Sequence, residues 1–118
     1  MPKLEDLAQA ALTGDALRLR QLAHDWLRAN PHLSDCPPPN SNDPRVPIIA
    51  AALIELFADR LNQQPPTWTA QIPSLANPLY LLKSAQTMPR LRAMCQAESP
   101  PPLRKRNLFA PANFLSFA

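Results

Sequence analysis

The fold is decided first by residues 4–30, which read LEDLAQAALTGDALRLRQLAHDWLRAN. In the first half of this stretch, apolar residues recur at the spacing of one helical face, at Leu4, Leu7, Ala8, Ala11 and Leu12. The second half repeats that spacing at Leu19, Leu22, Ala23, Trp26 and Leu27. Gly14 can take the left-handed conformation that ends a helix, and Asp15 can cap the next one. The stretch therefore predicts a helical hairpin over about residues 3–30.

A proline-rich loop and a third helix are expected next. Residues 31–43 include Pro37-Pro38-Pro39 and a run of Asn, Ser and Asp, which is typical of a loop. Asp43-Pro44 has the form of a cap followed by proline at the first helical position. Residues 44–62 are thus predicted to be a helix whose apolar side chains cover most of its circumference. Only Glu55, Asp59 and Asn62 form a narrow polar stripe, so this helix is expected to lie at the centre of the core.

Residues 63–118 are expected to hold further short helices and a basic, aromatic tail. Residues 68–76 have no clear period and are predicted to be extended or irregular. Asn77-Pro78 is expected to start a short helix that ends near Ala85, and Thr87 to cap another. Four side chains should share a face of that second helix: Met88, Leu91, Met94 and Cys95. The basic run 104–106 follows Pro100-Pro101-Pro102, and a last apolar stretch carries Phe109, Phe114, Leu115 and Phe117.

The composition agrees with this division into short helices. The chain has 118 residues, 16 prolines and one glycine. Proline cannot occupy a helix interior, and the scarcity of glycine removes the residue that tight β-hairpins use most. Because 46% of the residues are hydrophobic, one chain of this length can build a core. We predict an all-α protein: a single compact domain of five or six short helices with proline-rich connectors.

Two features bear on the compartment. The two cysteines, Cys36 and Cys95, are far apart and form no CxxC motif, and no signal-peptide pattern opens the chain. The longest apolar run, residues 46–54, is far shorter than the roughly 20 residues of a membrane span. We expect a cytoplasmic protein with free thiols and no membrane partner.

Few enzyme classes fit the sequence. A single glycine cannot build a phosphate-binding loop, a dinucleotide fingerprint or a serine-hydrolase elbow. The ligand-type residues His24, His32, Cys36 and Cys95 lack the close paired spacing of zinc modules, so we expect no metal and no cofactor. Glu55 and Asp59 share a helix face, which is more typical of a solvated stripe than of a catalytic pair. A small RNA-cleaving or metal-dependent enzyme centred on His24 and His32 stays a less favoured alternative.

Charge is unevenly distributed along the chain. Residues 1–61 carry six basic and eight acidic residues, a net charge of −2. The remainder carries six basic residues against Glu98 alone, a net charge of +5. An anionic partner is therefore expected to meet the C-terminal half.

A resemblance to a known family also indicates that the C-terminal half binds a partner. Glu98-Ser99-Pro100, the run from Arg104 to Phe109 and Ala112-Asn113-Phe114-Leu115 resemble the closing segment of a family of short, uncharacterised bacterial proteins. The blocks at residues 65–69 and 79–81 fit as well, so that the resemblance covers roughly residues 44–118. Members of this family look like antitoxin components encoded beside nucleotidyltransferase-like or other toxin-like partners. Some of them carry an N-terminal helix-turn-helix domain, and we expect no DNA-reading domain of that kind in front of these residues. The resemblance implies a partner-binding module and carries over no catalytic residue.

We therefore predict a non-enzymatic protein–protein interaction module, the antitoxin-like half of a toxin–antitoxin-type pair. The predicted contact residues are Arg90, Arg92, Arg104, Lys105, Arg106, Asn107 and Phe109. An alternative is a small nucleic-acid-binding protein that uses the same basic residues. A structural interpretation of the tail also stays open, in which Leu108 and Phe109 dock on the core while the cations stay solvated.

Overall fold

The predicted N-terminal hairpin forms two helices, α1 (Leu4–Thr13) and α2 (Ala16–Ala29), joined by a two-residue turn. A computed structural model describes residues 2–112 and 114–115 of the chain. Gly14 ends α1 with φ at 75°, in the left-handed region, as predicted. The Asp15 carboxylate caps α2 by accepting a hydrogen bond from the Arg18 amide at 3.0 Å. Local sequence signals thus suffice to place both ends of this turn.

The third helix, α3 (Arg45–Arg60), runs through the core as predicted. Beside its start, the Asp43 carboxylate accepts a hydrogen bond from the Arg45 amide at 2.9 Å, but the N-cap is Pro44. The prediction of Asp43 as the cap and Pro44 as the first helical residue is therefore wrong by one position. Ten residues of α3 are buried, and its most extensive helix contact is with α1. The predicted polar stripe is wrong at two positions. Asn62 lies beyond the helix, which ends at Arg60. The side chain of Glu55 is only 10% exposed, because it faces the C-terminal segment rather than solvent.

The proline-rich loop is fixed to the segment that follows α3. A 3₁₀-helix at Leu33–Asp35 buries Leu33, and a second spans Thr67–Gln71. The Trp68 indole donates a hydrogen bond to the Cys36 carbonyl at 2.9 Å and links the two. The prediction of irregular structure from residue 68 is therefore wrong for the first four residues of that stretch.

The helix predicted at residues 77–85 is wrong. Leu79–Tyr80 form a short strand, β1, which pairs in parallel with β2 (Leu108–Phe109), and a 3₁₀-helix follows at Lys83–Gln86. A short apolar run does not distinguish helix from strand, and here hydrogen bonds across the sequence decide. The Leu79 amide donates to the Asn107 carbonyl and the Leu81 amide to the Phe109 carbonyl, both at 3.0 Å.

The last two helices are α4 (Pro89–Glu98) and α5 (Pro101–Arg104). Met88 is the N-cap of α4, so the prediction of Thr87 as its cap is wrong. Of the four side chains predicted to share a face, Cys95 is fully buried, whereas Met88 and Met94 are exposed. Phe114 and Leu115 are buried, and Phe117 lies outside the described residues.

Five α-helices and one pair of two-residue strands make up the regular structure of residues 2–112 and 114–115, apart from the 3₁₀ turns. The fold is all-α, as predicted. One cluster of buried side chains joins α1, α2 and α3 to Leu81, Leu103 and Leu108 of the C-terminal half. The basic segment after α5 therefore lies directly against the central helix.

Candidate functional site

Three of the predicted contact residues form the basic run 104–106 at the end of α5. A buried ion pair fixes this run to the core. The Arg106 guanidinium donates to the Glu55 carboxylate of α3, and its Nη2 donates to the Thr69 carbonyl at 2.6 Å. The Arg106 side chain is 4% exposed. Lys105 also reaches Glu55, with its Nζ 3.1 Å from Oε1, but its own side chain is 56% exposed. One buried carboxylate is thus held by two consecutive cations.

Arg106 is therefore not part of an exposed surface, and it differs in this from what the sequence led us to expect. Its guanidinium offsets the cost of burying the Glu55 charge, which would be large without a partner. A signal for this was present in the sequence. A lone carboxylate in the middle of an apolar helix requires a buried cation or a solvent-facing position, and Glu55 has the former.

Asn107 is also a structural residue. Its φ of 68° lies in the left-handed region, and its side-chain amide donates to the Leu75 carbonyl at 3.2 Å. This conformation turns the chain from α5 into β2. On the other side of β2, the buried Ser99 hydroxyl donates to the Leu108 carbonyl at 2.9 Å.

The structural interpretation of the tail is thus right about Leu108, which is fully buried, and wrong about Arg106, which is not solvated. Phe109 is half-buried. Hydrogen bonds and an ion pair with residues both before and within the C-terminal half hold the segment from Arg104 to Phe109. This segment is therefore not a loose basic arm.

Arg104 and Arg90 remain at the surface. The Arg104 guanidinium donates to the Ala97 carbonyl at 2.8 Å, where it satisfies a carbonyl in the last turn of α4. Arg90 lies exposed near the start of α4. Arg90 and Arg92 are two positions apart, about 200° around the helix, and so do not share a face. The predicted contact residues consequently do not form one continuous surface.

A smaller group does come together, and we call it the aromatic–arginine cluster: Tyr80, Arg92, Gln96 and Phe109. The Tyr80 and Phe109 rings, paired across the two strands, have their centroids 5.5 Å apart. The Arg92 guanidinium lies over the Tyr80 ring, 5.6 Å from its centroid, and its Nε donates to the Ala85 carbonyl at 3.2 Å. Gln96 donates to the Tyr80 hydroxyl.

Two members of this cluster were missing from the predicted set. Tyr80 and Gln96 are in contact only because β1 pairs with β2 beside α4. The helical spacing of apolar residues does not predict that strand pairing. Within the cluster, only the proximity of Arg92 to Gln96 could be predicted from the sequence, since positions i and i+4 of a helix share a face. Both rings are half-buried, while Arg92 and Gln96 are exposed.

The histidines and cysteines are not members of this cluster. His24 is exposed on α2, and its Nδ1 is 3.9 Å from the Asp25 carboxylate. His32 is exposed before the first 3₁₀-helix. Both thiols are free and buried, and burial raises the pKa of Cys36 and of Cys95. Within the described ranges, no three His, Cys, Asp or Glu side chains are placed to share a metal ion.

None of the helices in the part of the chain that the structure describes combines the length and apolar content needed to cross a bilayer. Comparison of the chain with protein-family models, with curated proteins and with solved structures finds no match.

Proposed function

We propose that this chain is a non-enzymatic protein-binding module and that the aromatic–arginine cluster is the centre of its contact surface. The observation that carries the proposal is the packing of Tyr80 against Phe109 and Arg92 at 5.5 and 5.6 Å. Tyrosine and arginine, with tryptophan, are enriched among the residues that dominate binding energies at protein interfaces.

The order of the cluster supports this role. Gln96 orients the Tyr80 hydroxyl, and the Ala85 carbonyl holds the Arg92 guanidinium in place. A partner would not have to immobilise these side chains, which lowers the entropic cost of association. The buried Arg106–Glu55 pair, in turn, fixes β2 and therefore Phe109. In this proposal Arg106 is a positioning residue and Arg92, Tyr80 and Phe109 make the contact.

The partner class follows from charge and from the resemblance in residues 44–118. Arg90, Arg104 and Lys105 are exposed in the same half of the chain, and Glu98 is its only acidic residue. An acidic protein surface complements such a region. Since the resembling family looks like antitoxin components, we propose that the partner is a toxin-like protein and that binding neutralises it.

Nucleic-acid binding through the same cations is the second candidate, and it is favoured by the +5 charge of residues 62–118. Binding of single strands relies on aromatic faces that accept a stacked base. Arg92 lies over a face of Tyr80, and Phe109 packs against the same ring, so the cluster offers less stacking surface than its two rings suggest. We therefore rank a protein partner first.

The experiment is an affinity purification of the tagged chain from its own cells, with nuclease treatment, at 0.15 M and 0.5 M salt. The test variant is Tyr80→Ala/Arg92→Ala, and the matched control is Arg18→Ala/Arg28→Ala on α2. We expect a defined protein that resists nuclease, is kept by the control and is lost by the test variant. Removal of two central contacts should weaken the complex by about 100-fold or more.

Expression of the recovered protein alone then tests the antitoxin role. Arrested growth that the wild-type chain relieves and the test variant does not would support it. A partner bound equally by both variants would contradict the proposed surface. Recovery of nucleic acid alone, lost at 0.5 M salt, would contradict the protein-binding role and favour the second candidate.

A further inference from the structure

The outer edge of β1 carries three main-chain groups that we call the open edge: the N–H and C=O of Tyr80 and the N–H of Leu82. In a parallel pair, alternate residues of a strand direct their main-chain groups to the neighbouring strand. Leu79 and Leu81 donate to the chain at β2, both at 3.0 Å. Tyr80 between them and the extended Leu82 after them therefore direct theirs away from β2. Among the described residues, none forms a hydrogen bond with these three groups.

The opposite edge of the strand pair is closed. Leu108 is fully buried, and its C=O already accepts the Ser99 hydroxyl at 2.9 Å. Of the elements that the structure describes, only β2 and the 3₁₀-helix at Lys83–Gln86 pack extensively against β1, so no helix covers the open edge to that extent. Pro78 has no N–H, which limits an added strand to a few residues. An unpaired edge of this kind is a template for one short extended segment of another chain.

We propose that the open edge binds a short extended segment of the partner protein, which adds to β1 as a third strand. This inference rests on the proposed function for the identity of the partner, and it specifies how that partner binds. In such complexes main-chain hydrogen bonds provide the affinity and alternate side chains provide the specificity. A partner residue opposite Tyr80 lies on the face of the aromatic–arginine cluster, whereas its two neighbours lie on the face of Leu79 and Leu81.

The two faces of the open edge predict the side chains of that segment. An open groove of about 290 Å³ borders β1, and its apolar walls are the partly buried Leu12, Leu75 and Leu79. This groove fits an apolar side chain. On the other face, the Arg92 guanidinium lies over the Tyr80 ring, where an acidic side chain of the partner would be close to it. The segment should therefore alternate apolar and acidic residues.

Cations outnumber carboxylates around the open edge. The elements that follow β1 as far as the end of α4 carry three cations: Lys83, Arg90 and Arg92. Their one carboxylate is Glu98, in the last turn of α4, where the Arg104 guanidinium also binds. From the N-terminal half, the Asp43–Arg45 pair reaches the groove, and Asp15 belongs to the turn that packs against the 3₁₀-helix. All of these together are five cations and three carboxylates, a balance that favours an acidic segment.

The test titrates the isotope-labelled full chain with a peptide of eight residues that alternates valine and glutamate, and NMR follows the individual amides. Hydrogen exchange at Tyr80 and Leu82 reports the main-chain contact. A control peptide of the same composition carries its valines and glutamates in two separate blocks. The variant Leu82→Pro removes the edge N–H, and the matched control Leu82→Ala keeps that N–H while shortening the same side chain. Thermal unfolding of both variants checks that they are folded.

In the free chain, we expect the amides of Tyr80 and Leu82 to exchange faster than those of Leu79 and Leu81. The alternating peptide should slow exchange at Tyr80 and Leu82 by at least about 10-fold. Leu82→Pro should bind it about fivefold more weakly than Leu82→Ala, as the loss of one hydrogen bond implies. The blocked peptide should bind at least about 10-fold more weakly than the alternating one. If Leu82→Pro is unfolded, exchange in the wild-type chain decides alone.

Unchanged exchange at Tyr80 and Leu82 with the peptide in excess, or equal binding by the two Leu82 variants, would overturn the added strand. Equal binding of the blocked peptide would overturn it in favour of charge attraction alone. Slow exchange at Tyr80 that depends on chain concentration without peptide would assign the edge to a second copy of the chain.

The affinity purification separates this inference from the proposed function. A cellular partner that Tyr80→Ala/Arg92→Ala loses and Leu82→Pro keeps would support the function and overturn the added strand. Recovery of no protein, together with slowed exchange at Tyr80 in the presence of the alternating peptide, would contradict the function and support the open edge as a binding site for an extended segment.

Discussion

The exposed side of α2 and the segment from Arg104 to Phe109 each contain three arginine or lysine residues, yet the two regions place them differently. On α2, helical periodicity turns the arginines outward while Leu19, Ala23 and Trp26 fill the core. In the C-terminal segment, Arg106 is buried against Glu55, 51 residues away, and Lys105 contacts the same carboxylate. A run of arginines in the sequence therefore does not by itself define a basic surface.

The two regions also differ in the range of the interactions that hold them. The start of α2 is fixed by Asp15, three residues from the amide it caps. The C-terminal segment is fixed by partners at Glu55, Thr69 and Leu75, all more than 30 residues away. Substitutions should consequently have local effects in the first region and long-range effects in the second.

The largest effect is expected from Arg106→Ala. It leaves the Glu55 carboxylate in a site where its side chain is 10% exposed, with only the more exposed Lys105 as partner. Breaking a buried pair from one side costs about 3–5 kcal/mol of unfolding free energy. Denaturant unfolding measures it, with Arg18→Ala as the control that should stay within about 0.5 kcal/mol. Equal losses of unfolding free energy from Arg106→Ala and Arg18→Ala would contradict the view that the first arginine is buried and the second is a surface residue.

Cysteine labelling should show whether the C-terminal segment opens separately. Cys36 and Cys95 are both buried, and burial raises the pKa of each thiol, so that little reactive thiolate forms at neutral pH. We expect each thiol to react at least about 100-fold more slowly in the folded chain than in denaturant, and faster as the pH rises above its ordinary pKa. In single-cysteine variants, Arg106→Ala should accelerate labelling of Cys95 more than labelling of Cys36. An equal acceleration would show that the two regions open together.

Gly14→Ala tests the junction between the N-terminal hairpin and the C-terminal half. The residue has φ at 75°, and an added Cβ would lie 2.9 Å from the Cβ of Lys83. The backbone penalty and the close contact together should cost about 2 kcal/mol. Thermal unfolding checks this, with Ala16→Gly as a comparison that removes a Cβ without creating a contact. A neutral Gly14→Ala variant would mean that this turn is not held against Lys83.

Two capping residues provide a smaller test of local sequence signals. Asp15→Ala should cost about 1 kcal/mol, because the carboxylate satisfies the Arg18 amide at the start of α2. Thr87→Ala should change stability by less than about 0.5 kcal/mol, since its exposed hydroxyl donates to the Ser84 carbonyl and does not cap α4. Unfolding of both variants in urea compares them directly. A larger loss of unfolding free energy from Thr87→Ala than from Asp15→Ala would support the prediction from the sequence that Thr87 caps α4.

The smallest effect concerns pH. Hydrogen bonds from the Arg45 side chain, and then its backbone amide, hold the pKa of the Asp43 carboxyl below its ordinary value. A lowered pKa means that the contribution of this group is present above the ordinary pKa and is lost as the pH falls through the lowered one. An NMR titration should find the low pKa, and Arg45→Ala should raise it. An unchanged pKa in that variant would assign the shift to other groups.

Much of the fold could be predicted where the signals are local. The N-terminal hairpin, its glycine stop, the Asp15 cap and the apolar central helix all follow from spacing within a few residues. The predicted helix at residues 77–85 failed because Leu79 and Leu81 take their hydrogen bonds from the strand at 108–109 instead. The same pairing brings Tyr80 to Phe109 and Arg92, so the candidate site could be predicted only in part.

The sequence by itself determined that this is a helical protein with a central apolar helix, because periodicity and caps act over one or two turns of chain. Only the tertiary structure decided which cations remain at the surface. Whether an arginine is buried depends on whether a carboxylate such as Glu55 lies within reach after folding. That distance is set by the packing of α3 against the C-terminal segment, and no short-range pattern contains it.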